Sequence, residues 1–338
     1  MEGAALKERL RAAALEAGFD AFGVAPVPAE VRADYFHKWI KDGMHGDMAW
    51  LARTPERRTN PSQVLPEARS VIVLGANYWQ PAPVRDFRIA TYALGEDYHD
   101  LLLQRLERVC AVMHAAGGAQ RPYVDTGPVL EKPFAAAAGL GWQGKNTLLI
   151  HRKHGTWLLL GVILTTLDLP PDAAEPDHCG SCTRCQDVCP TKAFPAPYQL
   201  DARRCLSYLT IEHKGPIPLE FREALGDRVF GCDECLTVCP WNRWAQVTKE
   251  QRFAAREVPP LRETLGWDQA SFDACFAGTP IKRLGLERWL RNALTVLGNV
   301  GTAMDLPAVN RLLAHPDPMV AEHAAWAAPR IKARSTRS

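Results

Sequence analysis

The chain has 338 residues, of which 47% are apolar and 23% charged, and its formal net charge is +2. That balance fits a folded protein of two or three domains and excludes a disordered polyelectrolyte. No run approaches the roughly 20 apolar residues of a membrane-spanning helix, and Met1-Glu2-Gly3-Ala4 leads into a helical pattern without the basic head or apolar stretch of an export signal. A cytoplasmic protein with no membrane partner is expected.

Leu6, Leu10 and Ala14 recur at helical spacing, and Ala21-Phe22-Gly23-Val24-Ala25 and Ser70-Val71-Ile72-Val73-Leu74 read as strands. The eight-residue apolar run 157–164 reads as a buried strand. Helices mixed with strands point to an α/β domain over residues 1–168. Within it, Tyr123-Val124-Asp125-Thr126-Gly127-Pro128 brings an apolar approach to a carboxylate at a turn. Asp125 is thus a candidate acid, or simply a turn former. To donate a proton near neutrality its pKa would have to rise from about 4 to about 7 through desolvation.

Residues 139–144 match the G-x-G-x-x-G pattern and, with Lys145, nearly match a phosphate loop. The preceding residues from Glu131 to Ala138 look helical rather than extended, and Asn146 stands where Ser or Thr is required. A glycine-rich turn lining a pocket is the better reading.

A proline-rich acidic stretch then opens a second module, 169–245, dominated by cysteine. In Cys179-x2-Cys182-x2-Cys185-x3-Cys189-Pro190 the spacing is that of two-cluster ferredoxins, whose fourth cysteine crosses to the other cluster. Cys232-x2-Cys235-x3-Cys239-Pro240 repeats it without the first member, where Val229 stands, and Cys205 is the candidate replacement. The crossing rule assigns Cys179, Cys182, Cys185 and Cys239 to one 4Fe-4S cluster and Cys189, Cys205, Cys232 and Cys235 to the other. Two four-cysteine zinc sites are the competing reading, but zinc ribbons use separated pairs. Cys110 and Cys275 fall outside the pattern and are expected to be small buried side chains. The composition of the module suggests that metal replaces an extensive apolar core.

The third part, 246–338, is helical and carries an internal repeat, with 291–298 aligning on 322–329 at an offset of 31 residues. Residues 241–338 hold 14 Lys or Arg against 9 Asp or Glu, a charge that suits nucleic acid or a solvated helical surface.

The combination resembles the epoxyqueuosine reductase family nearly end to end. The resemblance is carried by Tyr92-Ala93-Leu94-Gly95-Glu96-Asp97-Tyr98-His99, by Asp125-Thr126-Gly127-Pro128-Val129-Leu130-Glu131-Lys132-Pro133, by Gly139 to Asn146, by the cysteines with Leu206-Ser207-Tyr208-Leu209-Thr210 after Cys205, and by the terminal repeat. It implies a cobalamin in the first domain, two 4Fe-4S clusters beside it, and a HEAT-like tail that helps hold tRNA by its epoxyqueuosine-bearing anticodon stem-loop. It also implies Asp125 as proton donor and the eight cysteines above as cluster ligands. Arg88, Tyr98, Asn146 and Ser207, with Asp125, are the candidates for the cobalamin pocket, and Lys214 for the tRNA backbone. The cobalamin is expected base-off without a protein histidine ligand: Asp97-Tyr98-His99 is followed by Asp100, Leu101 and Leu102, so the Asp-x-His-x-x-Gly signature is absent. An electron donor must exist and is not identified by the sequence; the expected unit is a monomer. Other cobalamin and iron–sulfur reductases, or a two-cluster ferredoxin-type carrier, are the alternatives.

Overall fold

The computed structural model of the chain describes residues 2–29 and 31–336. Four strands build the main sheet: β1 (Ala21–Pro26), β2 (Ser70–Asn77), β3 (Gln120–Tyr123) and β4 (Leu158–Thr165), in the spatial order β1-β2-β4-β3. Helices and strands mix along the chain as expected, yet every pairing within this sheet is antiparallel, with Val24 opposite Ile72, and Val73 and Tyr123 both opposite Val162.

Successive side chains of a strand point to opposite faces, and here both faces are covered. Ile72, Leu74 and Ile163 pack with Leu10 and Ala14 of the helix Glu2–Glu16 and with Leu102 and Leu106 of the helix Tyr98–His114. On the other face, Val71, Val73, Val162 and Leu164 pack with Phe134 and Ala135 of the helix Glu131–Ala137. A sheet buried on both sides needs apolar residues at every position, which explains why these strands read as continuous runs. Among the described residues no helix is long and apolar enough to cross a membrane.

The cysteine segment contains two short helices, Arg184–Asp187 and Glu234–Thr237, which pack against each other. Metal does not stand in for a core throughout this segment. Leu206, Leu209, Phe221, Leu225, Val229 and Phe230 share one apolar cluster with Trp289, Leu290, Ala293 and Leu294 of the tail. The first unit joins the same assembly through Arg88–Ile89, which pairs in parallel with Arg228–Phe230.

The two repeat copies fall in the helices Leu286–Val300 and Pro318–Ser335, which pack together. Gly298 lets them approach: a Cβ there would lie 2.3 Å from the Trp326 ring. Cys110 is buried as expected, but Cys275 is only half-buried at the edge of the tail's core.

Two buried polar residues of the helix Leu286–Val300 hold the cysteine segment in place. The Arg291 guanidinium donates to the carbonyls of Leu209, His213 and Gly215, at 2.8, 2.7 and 2.7 Å. The Asn292 amide donates to those of Thr210 and Val229, at 2.8 and 2.9 Å. Leaving buried carbonyls unpaired costs about 1–3 kcal/mol each. Asn292→Ala should therefore lower the urea midpoint of the cluster-loaded protein by the equivalent of about 2–4 kcal/mol. An unchanged midpoint would contradict the clamp.

Candidate active site

Asp125 sits two residues past the end of β3 with φ of 55°, in the left-handed region that a short polar side chain tolerates. Its backbone N–H donates to Glu131 Oε1 at 2.6 Å, and Arg58 Nη1 donates to the Gly127 carbonyl at 3.2 Å. The turn is thus tied at both ends. Its carboxylate Oδ2 accepts from the Tyr98 hydroxyl at 3.3 Å and lies 3.3 Å from His99 Nε2. The opposite ring nitrogen of His99 is 2.6 Å from Asp97 Oδ1. Asp97 caps the helix Tyr98–His114 by accepting the His99 N–H, and Arg283 donates to its second oxygen at 2.8 Å.

The result is a line of groups, Asp97, His99 and Asp125, lying over the edge of the tail. His99 is 12% exposed and Asp97 13%, whereas Asp125 is 65% exposed, so the last member faces an open cleft. Burial works against charge on His99, but the Asp125 and Asp97 carboxylates outweigh it and raise its pKa. With both ring nitrogens facing carboxylates, the imidazolium donates to each. Arg283, 3.2 Å from Nε2, then lies beside it as a like charge compensated by Asp97.

Asp125 does not have the raised pKa that an acid acting alone would need. Burial of its surroundings pushes upward, but the His99 bond, with Lys132 and Tyr98, holds its carboxyl below the ordinary value. The raised carboxyl is its neighbour: burial, reinforced by the Asp125 charge, pushes Glu131 up to about 8. The groups of the site whose protonated form is favoured are thus His99 and Glu131.

The cleft connects to the cysteine segment through aromatic rings. Tyr98 meets Tyr92 edge-on at 5.9 Å, and Tyr92 meets Phe230 at 6.2 Å, two residues before Cys232. The Thr91 N–H donates to Asp233 at 2.7 Å. Around these contacts the fold brings Cys189, Cys205, Cys232 and Cys235 together. Burial and then the neighbouring Cys205, Cys232, Asp233 and Cys189 push the Cys235 thiol far up. Farther out, Cys179, Cys182, Cys185 and Cys239 line one cavity. There burial and the other three thiols push Cys185 up to about 11.

Crowded, desolvated thiols of this kind fit a cluster that takes them as thiolates. The donors around them fit as well. The buried Trp142 indole N–H acts on the Cys179 thiol in the apolar group that also holds Cys239, the Ala193 N–H reaches Cys189 Sγ at 3.2 Å, and the backbone N–H groups of Ser207 and Tyr208 point at Cys205. Hydrogen bonds to sulfur of this kind tune cluster potential. Among the described residues no three His, Cys, Asp or Glu side chains converge closely enough for a single ion, and the eight sulfurs form two looser groups.

Other residues singled out in the sequence lie near this centre in different settings. Tyr98 stacks on His99 at 4.0 Å. Asn146 is buried and its amide donates to the Cys235 carbonyl at 3.0 Å, tying the glycine turn to the inner cysteine group. Ser207 lies half-buried in the helix Leu206–Ile211 beside Cys205. Arg88 is spent on Asp227 and Glu234, both at 2.7 Å. Lys214 is exposed. The glycine turn has a steric origin, since a Cβ at Gly139 would lie 2.3 Å from the Ala173 carbonyl oxygen and one at Gly141 2.1 Å from that of Ile150. Sequence reading assigned no role to Asp97, His99, Glu131 or Arg283. The only local signal was Asp97-x-His99 at a helix start, the pattern of a cap.

Because folding raises the His99 pKa above its ordinary 6.5, its stabilising contribution is fully present below that pH and lost as pH rises through the folded value. The stability difference between the parent and His99→Gln should shrink as pH rises from about 6 into the alkaline range. Equilibrium unfolding across that range checks it; a difference that stays flat or widens contradicts the arrangement.

The chain is similar in sequence and fold to known proteins. Residues 58–126 match the family described as epoxyqueuosine reductase QueG, and residues 178–242 match a 4Fe-4S double cluster binding domain. Epoxyqueuosine reductase of Xanthomonas campestris is 42% identical over 334 residues, covering 94% of each chain. That of Escherichia coli is 37% identical over 337 residues, covering 95% of this chain and 88% of its own. A solved epoxyqueuosine reductase carrying a tRNA-Tyr epoxyqueuosine-modified stem loop superposes with a TM-score of 0.89 at 30% identity, covering 97% of this chain and 90% of that one. The enzyme from Bacillus subtilis gives 0.86 at the same identity and coverage. With sequence and fold alike over nearly its whole length, and with a double 4Fe-4S module at its centre, this chain belongs to the epoxyqueuosine reductase family.

Proposed function

We propose that this chain reduces epoxyqueuosine to queuosine at the wobble position of tRNA. The observation that carries the reading is the exposed Asp125 carboxylate, hydrogen-bonded to His99 and joined to the inner cysteine group through the three rings of Tyr98, Tyr92 and Phe230. Support from relatives is direct: one solved reductase holds an epoxyqueuosine-modified tRNA stem loop, and in the Bacillus subtilis enzyme an aspartate catalytic loop is described swung out of the active site. Asp125 occupies such a loop here.

Removing an epoxide oxygen to leave an alkene consumes two electrons and two protons and releases water. In this reading Cys179, Cys182, Cys185 and Cys239 would hold the outer 4Fe-4S cluster and Cys189, Cys205, Cys232 and Cys235 the inner one, and such clusters would supply the electrons singly. A cobalamin held beside Asp125 would supply low-potential chemistry at carbon. Tyr98 and Asp125 at the floor, with Asn146 and Ser207 towards the inner cluster and Arg88 at the margin, are the residues proposed to border it. The exposed Asp125 carboxylate has Tyr98, His99, Lys132 and Glu212 as its neighbours.

The protein's own part is proton management. Asp125, ionised at rest, accepts the His99 proton and passes it to the oxygen as negative charge develops there, so the donation is made when it lowers the barrier. Glu131 fixes the left-handed turn that aims the carboxylate. The tRNA must splay its modified base from the anticodon loop towards Asp125, with the exposed Lys132 and Lys214 proposed to meet its phosphates. The units of this reading are a cobalamin-binding domain over 1–168, a two-cluster domain over 169–245 and a HEAT-like tRNA-binding tail over 246–338, working as a cytoplasmic monomer.

Asp125→Asn should cut turnover by roughly 100-fold or more, while iron and cobalt contents stay at the parental level; nucleoside analysis of epoxyqueuosine-containing tRNA reads it. Parental activity would reject the role. Glu131→Gln keeps a neutral acceptor for the Asp125 N–H and should retain activity near neutral pH. Above about pH 8, where Glu131 ionises, the parent should lose rate more steeply than the variant, since loss of the His99 proton slows both. A collapse of Glu131→Gln activity at neutral pH would show that the ionised carboxylate is required instead.

A further inference from the structure

The two cysteine groups are not equivalent. The inner one contacts the Tyr92 and Phe230 region and so the Asp125 cleft, whereas the outer one lies behind Trp142 and Trp241. Electrons spent at the cleft must be replaced through the outer group, whose sulfurs line a cavity with the exposed Arg184 and Arg243 at its rim.

The surface around that rim has a specific chemistry. Arg184, Arg243 and the neighbouring Lys153 are exposed and have no carboxylate within ion-pair distance among the described residues. The acids nearby are already engaged: Glu175 binds Arg152 and His178, Asp177 accepts from Tyr198 and the Cys179 N–H, and Asp187 accepts from Thr183. At the centre stands Trp244, 54% exposed, with the Arg243 guanidinium 4.8 Å above its ring and Val247, 53% exposed, close in sequence. A net charge of only +2 for the whole chain makes this uncompensated group local rather than a bulk property.

An apolar centre with unpaired cations around it, over a redox group, suits brief docking of a protein of opposite charge. We propose that the face formed by Lys153, Arg243 and Trp244, with Arg184 beside it, docks an acidic one-electron carrier protein that feeds the outer cluster. The inference rests on the two-cluster reading and adds the class of donor and its place of entry. In each encounter one electron leaves the carrier's reduced flavin or iron–sulfur group and reduces the outer cluster by one electron; two encounters supply the pair consumed per epoxide. Electron-transfer complexes of this type are small and weak, so the rate should depend on charge and salt.

The test uses the anaerobic cluster-loaded protein mixed with an acidic flavodoxin in its hydroquinone state, with cluster bleaching followed by stopped flow. Lys153→Glu combined with Arg243→Glu should lower the second-order rate constant roughly tenfold or more at low salt, and the parental rate should fall as salt rises. Dithionite, which needs no docking face, should reduce parent and variant equally, with the same reduced-cluster electron paramagnetic resonance signal. Trp244→Ala should weaken flavodoxin transfer without altering the dithionite reaction. Equal flavodoxin rates in parent and charge-reversed protein overturn the proposal. So does loss of tRNA affinity in the variant with unchanged flavodoxin rates, which would assign the face to RNA. Absence of iron from the parent would instead sink the two-cluster reading itself, before any donor is added.

Discussion

Cysteines that lie together in sequence are divided between two groups in space, and the rest of the molecule depends on that division. Cys189 ends the first cysteine run but lies with Cys205, Cys232 and Cys235, while Cys239 ends the second run and lies with Cys179, Cys182 and Cys185. Neither group can assemble until both runs are in place. Thiols this crowded and desolvated resist ionisation, so the energy for gathering them has to come from metal binding and from the surrounding fold. The fold's share is visible in Arg291 and Asn292, whose buried side chains satisfy the carbonyls of the segment running from Leu209 to Gly215 and of Val229.

In the proposed reaction electrons and protons would reach Asp125 from different sides. The inner cysteine group approaches through Phe230, Tyr92 and Tyr98. Protons are held by His99, whose two carboxylate neighbours favour its charged form, and Asp125 is the member of that line open to the cleft. An ionised, exposed carboxylate backed by a protonated imidazole can deliver a proton without itself having an elevated pKa. That resolves the conflict between the sequence pattern, which singles out Asp125 as the acid, and its environment, which lowers its pKa. Glu131, kept neutral by burial beside Asp125, sets the geometry of the turn.

The cysteine spacing was legible because cluster ligation imposes a fixed local pattern, and the strands at Ala21 and Ser70 were legible because a doubly covered sheet demands uninterrupted apolar runs. The antiparallel pairing was not, since strands buried on both faces look the same in either orientation. Nor was the continuity of the core from Phe221 and Phe230 into Trp289, because the short polar links around the cysteines mask the apolar residues between them. Arg88 illustrates the limit of motif reading: its charge is consumed by Asp227 and Glu234, partners more than a hundred residues away. The distribution of protons among Asp125, His99 and Glu131 depends on burial and distances of a few ångströms. No spacing rule encodes those.

The central claim is that the eight grouped sulfurs carry two iron cubes within reach of the cleft. Iron, sulfide and zinc determination on anaerobically purified protein tests it most directly. The account predicts about eight iron and eight sulfide per chain, as two four-iron clusters require. Zinc bound in place of iron, with no acid-labile sulfide, would contradict it.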